Sequence, residues 1–169
     1  MTVAGVLREL ARHPRHYIVT QWNWKSAVLS AILRGAIFFT TNLTFGIEAA
    51  ARALLVDAVF RVPLVGVYAA VTQAFKAAEP AWAASIAVVA LAAFAHLVEL
   101  CVHWFAGTPG VQASVLASIA FSGVSSLFSL FAMRRGVLVV GGKDAAPFGR
   151  DLLRLPGIAL DFLCLCLRW

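Results

Sequence analysis

Three ionisable residues on one short stretch, His96, Glu99 and His103, carry the most suggestive chemistry in the chain. Their spacing of three and four residues puts all of them on one face of a helix. A carboxyl group beside two imidazoles can pass a proton, and Glu99 with either histidine can offer two ligands to a metal ion. The two histidines stand about 10.5 Å apart along a helix axis, too far to hold one ion together. A complete metal site therefore needs a further ligand from Asp57 or another chain. A haem held by two histidines needs one from a partner, because the other two, His13 and His16, lie far upstream. One glutamate is also too few for the repeated carboxylate sets of di-iron bundles. No cofactor is expected from this chain alone, and His96, Glu99 and His103 are its metal candidates.

Asp57 and Arg61 are four apart and can pair along a helix. Arg34 and Asn42 add a charge and an amide to an otherwise apolar stretch, and Asn42 is followed by Leu43 and Thr44 in a glycosylation-like triplet set within apolar sequence. Pro63, two residues after Arg61, removes a backbone donor and frees a carbonyl one turn earlier. Arg34, Asn42, Asp57, Arg61, His96, Glu99 and His103 thus make up one candidate polar cluster. Its four full charges, Arg34, Arg61, Asp57 and Glu99, sum to zero. Two readings are open: a neutral network that fixes which helices pack together, or a path in which Glu99 or Asp57 carries a proton and His96 and His103 relay it.

Ser114, Ser118, Ser122, Ser125 and Ser129 recur every three or four residues. Small polar side chains in one stripe permit close helix approach, and no base or orienting group accompanies them, so packing rather than nucleophilic chemistry is expected. No catalytic residue is assigned. Gly141, Gly142 and Lys143 lack the spacing of a phosphate loop. They follow Val137 to Val140, a run that suggests a short strand and turn.

The elements that must position these residues follow from composition. Of 169 residues, 62% are hydrophobic and 13% charged, about half the charge of an ordinary soluble domain. Four apolar windows, 26–47, 53–75, 81–106 and 111–133, each reach the roughly 20 residues that a helix needs to cross about 30 Å of hydrocarbon. The sequence therefore predicts an all-α, polytopic membrane protein with four transmembrane helices in an up-down bundle. Three short connections leave no room for a soluble catalytic domain. By depth along their windows, Asp57, Glu99 and Asn42 fall roughly 8 to 10 Å toward one side of the midplane, with Arg61 and His96 roughly 4 to 5 Å out.

Residues 1–25 read as an amphipathic interfacial segment, 26–133 as the bundle, and 134–169 as a basic tail with an interfacial or partner-docking helix. Trp22, Asn23, Trp24 and Lys25 read as an anchor in the headgroup zone. Arg8, Arg12, Arg15 and Lys25 before the windows, and Arg134, Arg135, Lys143, Arg150, Arg154 and Arg168 after them, predict both termini on the cytoplasmic side. The net charge of +6 then reports topology and lipid headgroups, with no nucleic-acid partner expected because the cations are dispersed. The short loops, the serine stripe and the apolar tail suggest a non-enzymatic integral subunit or accessory protein of a larger membrane complex. Its partners would be the bilayer and other subunits or further copies of itself. The alternatives are a small channel or proton-coupled transporter using Glu99 and Asp57 with His96 and His103, and a haem- or metal-binding membrane protein sharing ligands with a partner.

Overall fold

A computed structural model describes residues 1–105, 111–142 and 145–167; within its helices the side chains at 34, 37, 38, 41, 42, 53, 56, 57, 60, 61, 95, 96, 98–105, 111–119 and 121 lie outside that description. Among the described residues there are six α-helices: α1 (Val3–Arg12), α2 (Trp24–Asn42), α3 (Ile47–Ala74), α4 (Ala81–Phe105), α5 (Val111–Arg134) and α6 (Phe148–Leu167). A π-helical turn, His16–Thr20, precedes α2, and a 3-10 turn, Leu43–Phe45, joins α2 to α3. The architecture is all-helical.

Among the described residues, no helix is long and apolar enough to cross a membrane. The expected polytopic bundle, its integral membrane placement with cytoplasmic termini and its transport assignment are corrected accordingly. The window at 26–47 is not one helix: α2 stops at Asn42, the chain tightens into the 3-10 turn, and Gly46 at φ 102° caps the next helix. At 19 residues, α2 also includes Lys25 and Arg34. The window at 53–75 belongs to a 28-residue helix that reaches back to Ile47, so Glu48 and Arg52 join Asp57 and Arg61 within it, with Pro63 inside.

Two antiparallel pairs, α2 with α3 and α4 with α5, make the body, joined where α3 meets α5. Short connections dictate this pairing, since a few residues bring the chain back only to an adjacent helix. The described core gathers at the end of the bundle where α2 and α4 begin and α3 and α5 finish. There Val6 of α1 is buried with Phe75, Ala78, Ala84, Val88 and Leu130, and Val3 and Leu10 pack beside it. Thr2 starts α1 by accepting the Gly5 N–H at 3.2 Å, and the Glu79 N–H donates to the Met1 carbonyl at 2.8 Å. The amphipathic α1 is thus laid across the α3–α4 connection.

The segment after α5 closes the same end. Val137, Val139 and Val140 are buried, but the run forms no strand; Gly136, Leu138, Gly141 and Gly142 all take positive φ and fold it into a knot of turns. Ala132, Val137, Leu138 and Ile158 form a second core cluster, with Phe128, Phe131 and Leu155 against it. Edge contacts of Phe162 with Phe128 and Phe131, at 5.6 and 5.4 Å between ring centres, hold α6 along α5.

Candidate functional site

The polar side chains that the structure brings together lie at this closed end, around residues that the sequence placed on a surface. Asn23 is fully buried rather than interfacial. Its Oδ1 caps α2 by accepting the Ser26 N–H at 3.0 Å, and its backbone N–H donates to the Gly66 carbonyl at 3.1 Å. Its Nδ2 donates to Gln73 Oε1 at 3.0 Å and to the Leu138 carbonyl at 2.8 Å. Gln73 in turn treats Val140 as a strand partner would: Nε2 donates to the Val140 carbonyl at 2.7 Å, and Oε1 accepts the Val140 N–H at 3.0 Å. Two amide side chains thereby satisfy the backbone of a buried segment that belongs to no helix or sheet.

Two residues on, Lys25 enters the interior as well. Its Nζ lies 2.7 Å from Asp151 Oδ2 and 2.5 Å from the Ala146 carbonyl. The side chains of Lys25 and Asp151 are 4% and 0% exposed. A charge so far from water needs an opposite charge in contact, and each residue here supplies the other's. Asp151 also sits in the first turn of α6, where unpaired N–H groups favour a negative charge. The pair therefore ties the start of α2 to the start of α6, and Trp24 rests on Phe148 beside it at 5.5 Å.

Trp22 completes the arrangement on α3. Its Nε1 donates to the Pro63 carbonyl at 3.0 Å, and its ring lies where a side chain at Gly66 would have to be. Only a glycine leaves that slot open. A separate polar contact crosses the middle of the core: the Tyr68 hydroxyl donates to the Val88 carbonyl at 3.0 Å and meets Ser126 Oγ at 2.7 Å, while Ser126 donates to the Ser122 carbonyl at 2.6 Å. Burial pushes the Tyr68 hydroxyl above its ordinary value of 10.0, and the Ser126 hydrogen bond offsets only part of that.

Chemically, this arrangement is a clamp. Its amides are spent on one another and on backbone, and its one ion pair faces inward. Among the described residues, no group of three or more histidines, cysteines or carboxylates is placed to hold a metal ion.

Of the cluster read from the sequence, Arg34 and Asn42 fall on α2, Asp57 and Arg61 on α3, and His96, Glu99 and His103 on α4; their side chains lie outside the described residues. The same holds for Ser114 and Ser118. Ser122, Ser125 and Ser129 are half-buried on α5, and Ser126, one position off the stripe, meets the Tyr68 hydroxyl. Asn23, Lys25, Gln73 and Asp151 were not singled out as a site. The available signal was Gln73, a lone amide late in an apolar helix, together with an asparagine and a lysine alternating with two tryptophans. Comparison with models of known families, with characterised proteins and with solved structures gives no match.

Proposed function

We propose that the chain is a non-enzymatic accessory subunit of a larger assembly, which it joins through the outer faces of its helices. The supporting observation is the distribution of large apolar side chains. Leu55, Val59 and Leu64 on α3, and Trp82, Ile86 and Phe94 on α4, are each more than half exposed, while Asn23, Gln73 and Lys25 at the closed end bond to buried partners of the same chain. Isolated exposed leucines are ordinary, but rows of them along successive helices are a surface that another molecule covers. The internal clamp suits a part whose task is to present a fixed shape, since its hydrogen bonds and ion pair over-determine how the chain's beginning and end meet the bundle.

The test is isolation of the tagged full chain at native expression level, followed by mass determination on the intact particle. The expected result is a particle of fixed stoichiometry well above 18.1 kDa, lost on Ile86→Glu with Phe94→Glu while the helical signal is kept. A stable, monodisperse 18.1 kDa monomer that is indifferent to these substitutions overturns the reading.

A further inference from the structure

We infer that α6 is a docking surface for an anionic lipid surface, on which the helix lies flat with its leucines inserted among the headgroups. The inference goes beyond the accessory-subunit reading and uses a different helix. Three observations carry it.

The first is how the faces of α6 are divided. Asp151, Leu155, Ile158 and Phe162 follow one another at helical spacing and make the face turned to the body of the protein. On the opposite side Leu153, Leu160 and Leu167, seven apart, form a line with Leu163 beside it, and Leu153 and Leu167 are 85% and 86% exposed. The interior has therefore taken what it needs from this helix, and an apolar strip is left over.

The second is charge. Arg150 and Arg154 are exposed and run along one edge of the leucine strip, two cations to the single exposed acid, Asp161, on that edge. Arg154 donates to the Arg135 carbonyl at 3.1 Å, which brings α6 beside a further exposed cation, itself stacked 3.6 Å over the Phe131 ring. At the near end of the molecule Arg8, Arg12 and Arg15 are also exposed and form no ion pair with the described residues. Leucines bordered by arginines match a layer of anionic headgroups over acyl chains, in which apolar burial and attraction to negative charge add.

The third is the aromatic residue of α2 that packs on the start of α6. Trp24 packs on Phe148 yet remains 44% exposed. An indole with one side on protein and one side open suits the polar-apolar boundary at which such a helix would rest.

The test is co-sedimentation of the purified full chain with vesicles of phosphatidylcholine alone and of phosphatidylcholine with phosphatidylglycerol, at low and at 0.5 M salt. Binding to the anionic vesicles is expected, at least tenfold stronger than to the neutral ones and weakened severalfold by salt. Leu153→Glu with Leu163→Glu should reduce it at least tenfold with an unchanged helical signal, since neither side chain supports the interior. Arg150→Glu, which leaves the leucines intact, should reduce binding to anionic vesicles alone. The inference is overturned by any of three outcomes: no sedimentation with either vesicle, binding that ignores headgroup charge and salt, or binding that the leucine substitutions leave intact. A discrete dimer that forms without vesicles and is lost in the leucine variant assigns the face to a second copy and also overturns it. Failure here leaves the α3 and α4 surfaces of the accessory reading untouched, and failure of that reading leaves α6 untouched.

Discussion

The two terminal helices, α1 and α6, are both amphipathic in sequence and meet the same end of the bundle, yet they use their apolar residues in opposite ways. α1 turns Val6 into the core, 2% exposed, with Val3 and Leu10 beside it, and leaves arginines in water. α6 reserves its inner face for one aspartate and a few apolar contacts and sends most of its leucines outward. The difference lies in what each helix must satisfy. α1 meets the apolar ends of α3, α4 and α5, so hydrophobic burial orients it. α6 begins beside a buried lysine, and a buried cation without its carboxylate is so unfavourable that Asp151 sets the rotation of the helix before any leucine has a say. Periodicity shows that a helix has two faces; which one turns inward depends on what waits there.

That contrast is most directly broken at the ion pair. Asp151→Ala leaves the Lys25 ammonium buried with only the Ala146 carbonyl, and a loss of about 3 to 5 kcal/mol is expected. Chemical denaturation measures the loss, and hydrogen exchange should show α6 opening before α1. Replacing both partners, Lys25→Met with Asp151→Leu, should recover most of the stability, because it is the stranded charge rather than the missing attraction that dominates. If the double variant is as unstable as the single one, the attraction within the pair, and not the avoidance of a stranded charge, dominates its contribution.

On the other helix the analogous change is purely apolar. Val6→Ala removes two buried carbon atoms from a cluster with Phe75, Val88 and Leu130, for a loss of about 2 kcal/mol including the space left behind. Thermal unfolding should register it, and hydrogen exchange should here show α1 loosening while α6 stays protected. Equal loosening of both helices would mean that the closed end opens as one unit.

Between these extremes lies Tyr68, which belongs to neither terminal helix and so reports on the body alone. Tyr68→Phe removes contacts to the Val88 carbonyl and Ser126, for about 1 kcal/mol. The wild-type hydroxyl is held in its protonated form by burial, with its pKa above the 10.0 of an open tyrosine. Its contribution is therefore complete below pH 10.0, and falls as the pH rises from there through the folded-state value. Stability measured from pH 8 to 11 should decline less steeply in the phenylalanine variant than in the wild type.

The sequence made the helices legible and the membrane assignment wrong for related reasons. Hydrophobic runs mark helices whatever surrounds them, so α3, α4 and α5 overlap the apolar windows. Such runs do not reveal where a helix stops: the turn at Leu43–Phe45 divides a window that composition alone reads as continuous. The clamp was hidden for a different reason. Asn23 and Lys25 find their partners at Gln73, Leu138, Ala146 and Asp151, between 50 and 126 positions away, beyond the reach of any local pattern. Flanking tryptophans made the four-residue stretch look like a surface anchor, whereas Trp22 is accommodated by the absence of a side chain at Gly66. A glycine and a proline three apart in an apolar helix were the local trace of that slot.

The smallest expected effect is the sharpest test of the contrast. Leu153→Ser removes a large apolar side chain from α6, as Val6→Ala does from α1, and on sequence grounds the leucine looks the more important of the two. At 85% exposure Leu153 makes little contact with the interior, so stability in solution should change by less than about 0.5 kcal/mol. Substituting serine within a helix accounts for part of even that, through its weaker helix propensity. The same variant should bind anionic vesicles more weakly. A change of 2 kcal/mol or more in unfolding, with no change in vesicle binding, would place Leu153 in the interior of an assembly already formed in solution and return α6 to the role that α1 plays.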